Sequence, residues 1–243
     1  MQPGKLEKQL LKEGNTFIVG TASAGENNYV GPIVSCSVVM DYNKLTPYFN
    51  NLLQELPLDS KGMEEILKSL KYCILKIISQ DELNELNDQE TALHYSNFSA
   101  VNKLIWKMLA DKEVPEVFIT KRFPLKEVVK SSYDSLHSAN KSIYDNMIWD
   151  NPPTLNMLAP KAEYYTSNAK SVLCINVAYE LAKRQLRSCL KEIDKKIPQY
   201  DIINKPQKEQ VQIVSKLGNT QYHRLYIKEL AKYPINTLIK EVI

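Results

Sequence analysis

The sequence has few of the features that mark a membrane or secreted protein. In its 243 residues no apolar run approaches the length of about 18 residues that a membrane-spanning helix needs. The first residues are charged and lead into no apolar segment of the kind that a secretion signal carries. We therefore expect a cytoplasmic protein that has no membrane partner.

Cysteine is scarce, and its positions argue against two classes of stabilised fold. The four cysteines form no Cys-x-x-Cys pair and do not cluster with the three histidines, which makes a zinc site or a disulfide framework improbable. Each cysteine falls in an apolar or helical stretch, so we expect buried free thiols. These residues are Cys36, Cys73, Cys174 and Cys189, and the histidines, expected at the surface or in satisfied core positions, are His94, His137 and His223.

Neither sign of charge dominates the composition. The chain has 31 basic and 28 acidic residues and a formal net charge of +3 at pH 7. This balance permits a polyanionic partner without implying one. A hydrophobic content of 44% over 243 residues is enough to bury the core of one large domain.

Two apolar, β-branched runs near the N-terminus flank a loop of small and polar residues. Residues 16–19 and 33–40 are predicted strands, and the intervening loop contains Gly25 and Gly31. Such a loop lets a phosphate backbone approach closely, because glycine has no side chain and leaves backbone N–H groups accessible. An ordinary hairpin with a long turn is the alternative interpretation.

Strand and helix patterns alternate along the rest of the chain. We predict strands over residues 72–78, 117–119 and 154–158, and helices over 1–12, from Asp59, and over 81–87, 96–111, 124–129 and 168–195. Residues 45–57 form either a third strand or an irregular loop. The order predicts an α/β fold with a sheet flanked by helices and a helical C-terminal region. We divide it into a helical lead-in (1–15), a sheet domain (16–200) and a helical cap (201–243).

Five short motifs follow one another along the chain. The first, residues 22–32, reads Ala-Ser-Ala-Gly-Glu-Asn-Asn-Tyr-Val-Gly-Pro, and the others are Asp59-Ser60-Lys61, residues 120–123, Lys161-Ala162-Glu163 before the long helix, and residues 232–237. In this order they resemble the type 2 ribonuclease H family, and its HIII branch more than its HII branch. The resemblance covers the chain from Thr16 onward and implies a ribonuclease H-like mixed sheet.

Members of that family cleave RNA in RNA/DNA hybrids with two divalent ions held by carboxylates at the carboxyl edge of the sheet. When the four acidic positions of the family are matched to this sequence one at a time, they correspond to Ala22, Ser23, Lys121 (or Thr120) and Glu163. A lysine ammonium about 4 Å from a divalent ion costs on the order of 8 kcal/mol at an effective dielectric constant near 20. We therefore expect no catalytic residue and no metal. Glu163 is the one remaining candidate ligand, and a local ion pair with Lys161 is its alternative role.

The resemblance also implies residues that bind nucleic acid. The family's Gly-x-Gly element contacts the RNA 2′-hydroxyl through backbone groups, and Asn27 replaces its second glycine here. Lys61 matches a phosphate contact at a helix N-terminus, with a plain helix cap as the alternative. The implied set is Gly25, Asn27, Asn28, Tyr29, Ser60 and Lys61. A basic stripe on the long helix either follows a phosphate backbone or is simply solvated, and it comprises Lys183, Arg184, Arg187 and Lys191.

These observations lead to one hypothesis and two alternatives. The hypothesis is a catalytically inactive ribonuclease H-like protein that binds nucleic acid, as an RNA/DNA hybrid or a duplex, or that serves with a protein partner as a non-catalytic subunit. The first alternative is a Mg²⁺- or Mn²⁺-dependent endoribonuclease acting on RNA/DNA hybrids, with Glu26, Asp59 or Glu163 around a single ion. The second is a protein–protein interaction module.

Overall fold

A computed structural model describes the sheet and the helices that support it. The described residues are 4–26, 28, 30–45, 49–54, 60–79, 89–111, 117–120, 163–166, 171–196, 200–201, 204–206, 208–210 and 212–213. The helices predicted over 81–87 and 124–129 and the strand predicted over 154–158 lie outside these residues. Among the described helices, none is long and apolar enough to cross a membrane.

Six helices and five strands make up the described part of the chain. They are α1 (Lys5–Lys12), β1 (Phe17–Ala24), β2 (Ile33–Asp41), α2 (Tyr42–Leu45), α3 (Phe49–Gln54), α4 (Ser60–Leu67), β3 (Leu70–Ile78), α5 (Gln89–Ala110), β4 (Val117–Thr120), β5 (Glu163–Thr166) and α6 (Leu173–Lys196). The strands predicted over 72–78 and 117–119 and the long helices predicted over 96–111 and 168–195 are confirmed as β3, β4, α5 and α6.

The five strands form one mixed sheet in the order β3-β2-β1-β4-β5. β4 is parallel to β1 on one side and to β5 on the other. β1 and β2 are neighbours joined only by residues 25–32, a connection too short for a parallel crossover, so they are antiparallel. The predicted α/β class with a mixed sheet flanked by helices is confirmed.

The chain separates into two compact units. The first contains Met1–Ala22, Cys36–Leu75 and Asn97–Glu180. The second contains Ser23–Ser35, Lys76–Ser96 and Leu181–Ile243. Strands β1 to β3 and helices α5 and α6 continue from one unit into the other. The domain boundaries predicted at residues 15 and 200 stay predictions.

Strand β2 is an interior strand, and all nine of its residues are buried. Its apolar, β-branched sequence suits a strand covered on both faces. Two serines interrupt this apolar run, and both are hydrogen-bonded. In the first unit the Ser37 hydroxyl lies 2.9 Å from that of Thr21, and in the second the Ser35 hydroxyl lies 2.6 Å from that of Ser96. These hydrogen bonds replace the bonds to water that each hydroxyl loses when it is buried.

Strand β3 lies at the edge of the sheet and is only partly covered. Its residues alternate between intermediate and exposed, and Leu75 and Ile77 keep 38% and 39% of their surface accessible. Cys73 is exposed on this strand, so the expectation that all four thiols are buried is wrong. Cys36 and Cys174 are buried and Cys189 is intermediate. The apolar local sequence misled the prediction because an edge strand has a neighbour on one side only.

The segment after β2 folds as two short helices, which corrects the prediction of a strand or loop over residues 45–57. The Tyr42 N–H donates to the Thr16 carbonyl at 2.9 Å, and the Tyr42 ring packs edge-on against Phe49 at 5.5 Å between centroids. Leu52 and Leu53 of α3 are buried. Tertiary burial therefore selects helical turns that are too short to show a period in the sequence.

Helix α6 crosses β1 at very close range. A Cβ atom added at Gly20 would lie 2.5 Å from both the carbonyl carbon and the carbonyl oxygen of Cys174. No side chain fits between β1 and the first turn of the helix at this point. Gly20 therefore sets the depth at which α6 sits on the sheet.

A buried carboxylate caps the start of α6. Glu7, on α1, has no accessible surface, and its two oxygens accept hydrogen bonds from the N–H groups of Leu173 at 3.0 Å and Cys174 at 3.2 Å. The Tyr42 hydroxyl donates to the same carboxylate. The cap satisfies N–H groups that have no partner inside the helix.

Burial governs the acid–base properties of this cluster. It raises the pKa of Glu7 above the ordinary value of 4.5, while the hydrogen bonds from Leu173, Tyr42 and Cys174 oppose the shift. Burial also raises the pKa of the Tyr42 hydroxyl and of the Cys174 thiol well above their ordinary values. Folding therefore favours the protonated form of Glu7.

Replacing Glu7 by glutamine tests this cap. The amide has one oxygen, so at least one backbone N–H of α6 loses its acceptor, and we expect a loss of about 1–3 kcal/mol in the free energy of unfolding. Because the folded-state pKa of Glu7 is raised, its contribution is largest below pH 4.5 and falls as pH rises through the folded-state value. The destabilisation by Glu7→Gln should shrink over the same window, as measured by urea unfolding between pH 4 and 8.

Glu13 provides the matched control. It follows the same helix, is exposed, and accepts a single side-chain hydrogen bond from Gln9. Glu13→Gln should change the free energy of unfolding by no more than about 0.5 kcal/mol. Equal effects of the two substitutions would contradict a capping role for Glu7.

Candidate functional site

The parallel strands of the first unit end together at one edge of the sheet. Thr21 of β1 pairs with Thr120 of β4, which pairs with Thr166 of β5. Ala22 follows directly on β1 and is 1% exposed. The carboxyl ends of parallel strands are where open α/β sheets bind ligands. This row of residues is therefore the candidate functional edge.

The described side chains at this edge are neutral. Ala22 has no ligand atom, and Thr21 bears a hydroxyl that is hydrogen-bonded to Ser37. Ser23, the next residue along β1, is buried and also bears a hydroxyl. Lys121, which follows Thr120, lies outside the described residues. No carboxylate stands at residues 21–23, where the family motif has its first two acids.

Glu163 is not at this edge, and its grouping with Ala22 has to be corrected. It begins β5 and pairs with Val117, which pairs with Ile18 at the other end of the parallel strands. Ala22 lies four positions further along β1, a displacement of about 13 Å along the strands, and two strand spacings add about 10 Å sideways. A glutamate side chain cannot bridge that separation to a shared ion. The sequence did not reveal this because β5 was not predicted and strand register is a tertiary property.

The loop after β1, in the second unit, depends on two glycines. Gly25 has φ of 93°, and a Cβ there would lie 2.6 Å from the Pro32 carbonyl oxygen. Gly31 has φ of 86°, and its Cβ would lie 2.6 Å from a methyl carbon of Leu190. Both the backbone angle and the lack of space require glycine. The loop is therefore held at these two glycines, which pack against the second half of α6.

The predicted loop residues are only partly described. The Asn28 N–H donates to the Gly25 carbonyl at 3.1 Å, which closes a tight turn, and Glu26 within the turn is buried. Asn27 and Tyr29 lie outside the described residues. So does Asp59, one of the carboxylates considered for a single ion.

Helix α4, in the first unit, begins where the capping pattern predicts. Ser60 is its first residue and Lys61 its second, while Met63 and Ile66 are buried and anchor it. The predicted helix start is confirmed. The side chains of Ser60 and Lys61 lie outside the described part of the chain, so their contact with a phosphate stays a prediction.

Two residues of the basic stripe on α6, Arg184 and Lys191, face away from the loop. At about 100° per residue, Arg184 and Lys191 project about 150° from the side that packs on the loop. That packed side carries Leu186, Leu190 and Ile193, all buried. Arg184, Arg187 and Lys191 are exposed, whereas Lys183 is intermediate. The stripe is thus an accessible cationic surface distinct from the glycine loop.

Relatives identified by sequence are ribonucleases HII. The chain is 29% identical over 142 residues to ribonuclease HII of Caldanaerobacter subterraneus, which covers 56% of this chain and 57% of the relative. It is 33% identical over 84 residues to ribonuclease HII of Caldicellulosiruptor bescii, covering 33% of this chain and 41% of the relative. The chain thus spans about half the length of these relatives. No family model matches it.

Solved structures with the same fold are type 2 ribonucleases H. Bst-RNase HIII in complex with Mn²⁺ superposes with a TM-score of 0.60 at 11% identity, covering 94% of this chain and 70% of that chain. Ribonuclease H2 of Pyrococcus horikoshii superposes with a TM-score of 0.56 at 11% identity, covering 93% and 96%. The structural likeness concerns the fold. Together with the sequence relatives, it confirms the predicted resemblance to the type 2 ribonuclease H family.

The fixed shape of the loop can be tested at Gly25. Gly14 has the same φ of 93° but no atom within 4 Å of an added Cβ. Gly14→Ala should cost only backbone strain, about 1–2 kcal/mol. Gly25→Ala should cost about 1–3 kcal/mol more, because its methyl group also meets the Pro32 carbonyl oxygen. Urea unfolding of both variants measures the difference, and equal losses would contradict a tightly packed loop.

Proposed function

We propose that this chain is a non-catalytic ribonuclease H-like protein that binds nucleic acid, either alone or as a subunit of a complex. The observation that carries the proposal is the buried Ala22 at the carboxyl edge of the parallel strands. Ser23 follows it. The family motif has an aspartate and a glutamate at these two positions.

The chemistry of two-metal hydrolysis explains why this substitution matters. Two Mg²⁺ or Mn²⁺ ions bring a charge of +4 and require hard oxygen ligands, chiefly carboxylates. A methyl group offers no lone pair, and a neutral hydroxyl supplies no compensating charge. Glu163, about 13 Å away along the strand direction, cannot replace the missing ligands. The edge is therefore poorly suited to hold the two metal ions.

Two features separately support binding of nucleic acid. The glycine loop keeps the positive φ angles at Gly25 and Gly31 that its close packing requires. Helix α4 presents Lys61 in its first turn, where the helix dipole favours an anion such as phosphate. Both features suit contacts to a nucleic-acid backbone that do not depend on metal chemistry.

The competing function is hydrolysis of RNA in RNA/DNA hybrids. Sequence relatives that are named ribonuclease HII favour it. It requires this chain to assemble an ion site from carboxylates other than the usual set.

A hydrolysis assay distinguishes the two functions. We expect the purified chain to leave an RNA/DNA hybrid intact in millimolar Mg²⁺ or Mn²⁺, because the edge lacks carboxylate ligands. The measurement is gel analysis of a labelled RNA strand against a ribonuclease HII as positive control. Cleavage that Glu163→Gln abolishes and that Glu64→Gln, on the exposed side of α4, preserves would overturn the proposal.

Salt-dependent binding tests the nucleic-acid contact at α4. Affinity for RNA/DNA hybrid or duplex should fall steeply with salt, and Lys61→Gln should reduce the slope of log K against log salt by about 0.9, the value for one lost phosphate contact. Fluorescence anisotropy between 50 and 200 mM salt measures both quantities. Lys68→Gln, which removes an exposed lysine just after the same helix, should leave the slope unchanged.

Other results of the salt-dependence experiment distinguish the remaining hypotheses for the function of the chain. A slope reduced by Arg184→Gln and Arg187→Gln but not by Lys61→Gln would show that nucleic acid follows the basic stripe instead. Absence of salt-dependent binding to hybrid, duplex and single strands would favour a protein–protein interaction module.

A further inference from the structure

Two cysteines of the first unit lie side by side on neighbouring strands. The sulfur atoms of Cys36 on β2 and Cys73 on β3 are 3.8 Å apart. Cys36 has no accessible surface, whereas Cys73 is exposed. The pair has no part in the function proposed above. Residues 36 and 73 are far apart in sequence, and only the pairing of β2 with β3 brings them together.

We propose that Cys73 is a site of thiol oxidation and that Cys36 resolves it into a disulfide between β2 and β3. The oxidant that we assign is a small-molecule disulfide such as oxidised glutathione. The two cysteines have unequal roles, because only the sulfur of Cys73 can be reached from solvent.

The geometry permits the bond. Neighbouring strands lie about 4.8 Å apart, which falls within the range of about 4.4–6.8 Å between the Cα atoms of disulfide-bonded cysteines. The two sulfurs must approach by less than 2 Å to reach a bond length of about 2.05 Å. Because the strands already have a suitable spacing, rotation of the two cysteine side chains can close this gap.

The local chemistry favours the same order of events. The hydrogen bond between the two thiols lowers the pKa of Cys73 and raises that of Cys36, and burial raises the pKa of Cys36 further. The thiolate is the reactive form of cysteine, so Cys73 attacks first. Cys36 stays protonated and protected until the neighbouring sulfur has been activated.

The reaction proceeds by two exchanges. The Cys73 thiolate attacks one sulfur of oxidised glutathione, forming a mixed disulfide and releasing one glutathione thiolate, which takes up a proton. The Cys36 sulfur then attacks the Cys73 sulfur, the bond to the second glutathione breaks, and the thiol proton of Cys36 passes to that leaving group. One protein dithiol is oxidised to a disulfide, and one oxidised glutathione is reduced to two glutathiones.

Mass spectrometry of the full chain after treatment with oxidised glutathione tests the proposal. The wild-type chain should lose the mass of two hydrogens, and digestion should yield a peptide pair linked through Cys36 and Cys73. In Cys36→Ala, which keeps a buried apolar side chain, the reaction should stop at a glutathione adduct on Cys73. In Cys73→Ser, Cys36 should stay reduced, because it is buried.

Cys189→Ser is the matched control, because Cys189 is the other partly accessible thiol. This variant should form the same link as the wild-type chain. A stable adduct on wild-type Cys73 without closure would overturn the proposal, as would modification of Cys36 in Cys73→Ser. Circular dichroism of each variant before treatment confirms that it is folded.

Discussion

The buried carboxylate of Glu7 is the contact on which the first unit depends. It joins α1 to the first turn of α6 and to Tyr42 at the end of β2, three segments that are remote in sequence. A second bond, from the Gly4 N–H to the Ser171 carbonyl at 2.8 Å, ties the same elements. With its N-terminus held there, α6 meets β1 at Gly20 with no room for a side chain. The cap thus fixes the first turn of the helix that packs on β1.

Contacts that do not involve residues 22 and 23 therefore support the ribonuclease H-like frame. The helix cap at Glu7 and the close contact of Gly20 with Cys174 involve neither Ala22 nor Ser23, whereas the hydrogen bond between Thr21 and Ser37 lies at the edge itself. An active metal site gathers several carboxylates whose mutual repulsion the ions must offset. With a methyl group and a hydroxyl at residues 22 and 23, this part of the edge carries no such strain. Contacts that support the fold thus involve residues other than those at positions 22 and 23.

Local sequence predicted most of the elements but not their neighbours. The β-branched run of β2 and the helical period of α5 are local patterns. β2 was predicted to within one residue, and α5 to within one residue at its end, although it begins at Gln89, seven residues before the predicted start. Helices α2 and α3 were missed because packing of Tyr42 on Phe49, not periodicity, stabilises them. The exposure of Cys73 was not predicted, because the apolar sequence of a strand does not show where in the sheet the strand will lie.

By itself, the sequence determined the charge at residues 22 and 23, because a carboxylate absent from the chain cannot be restored by folding at those positions. It also determined the helix start at α4 and the need for glycine in the loop, since capping and positive φ are local properties. Only the tertiary structure decided that Glu163 lies at the opposite end of the strands, that Glu7 caps α6, and that Cys36 meets Cys73. Each of these depends on strand register or on contacts between distant segments, which no local pattern encodes.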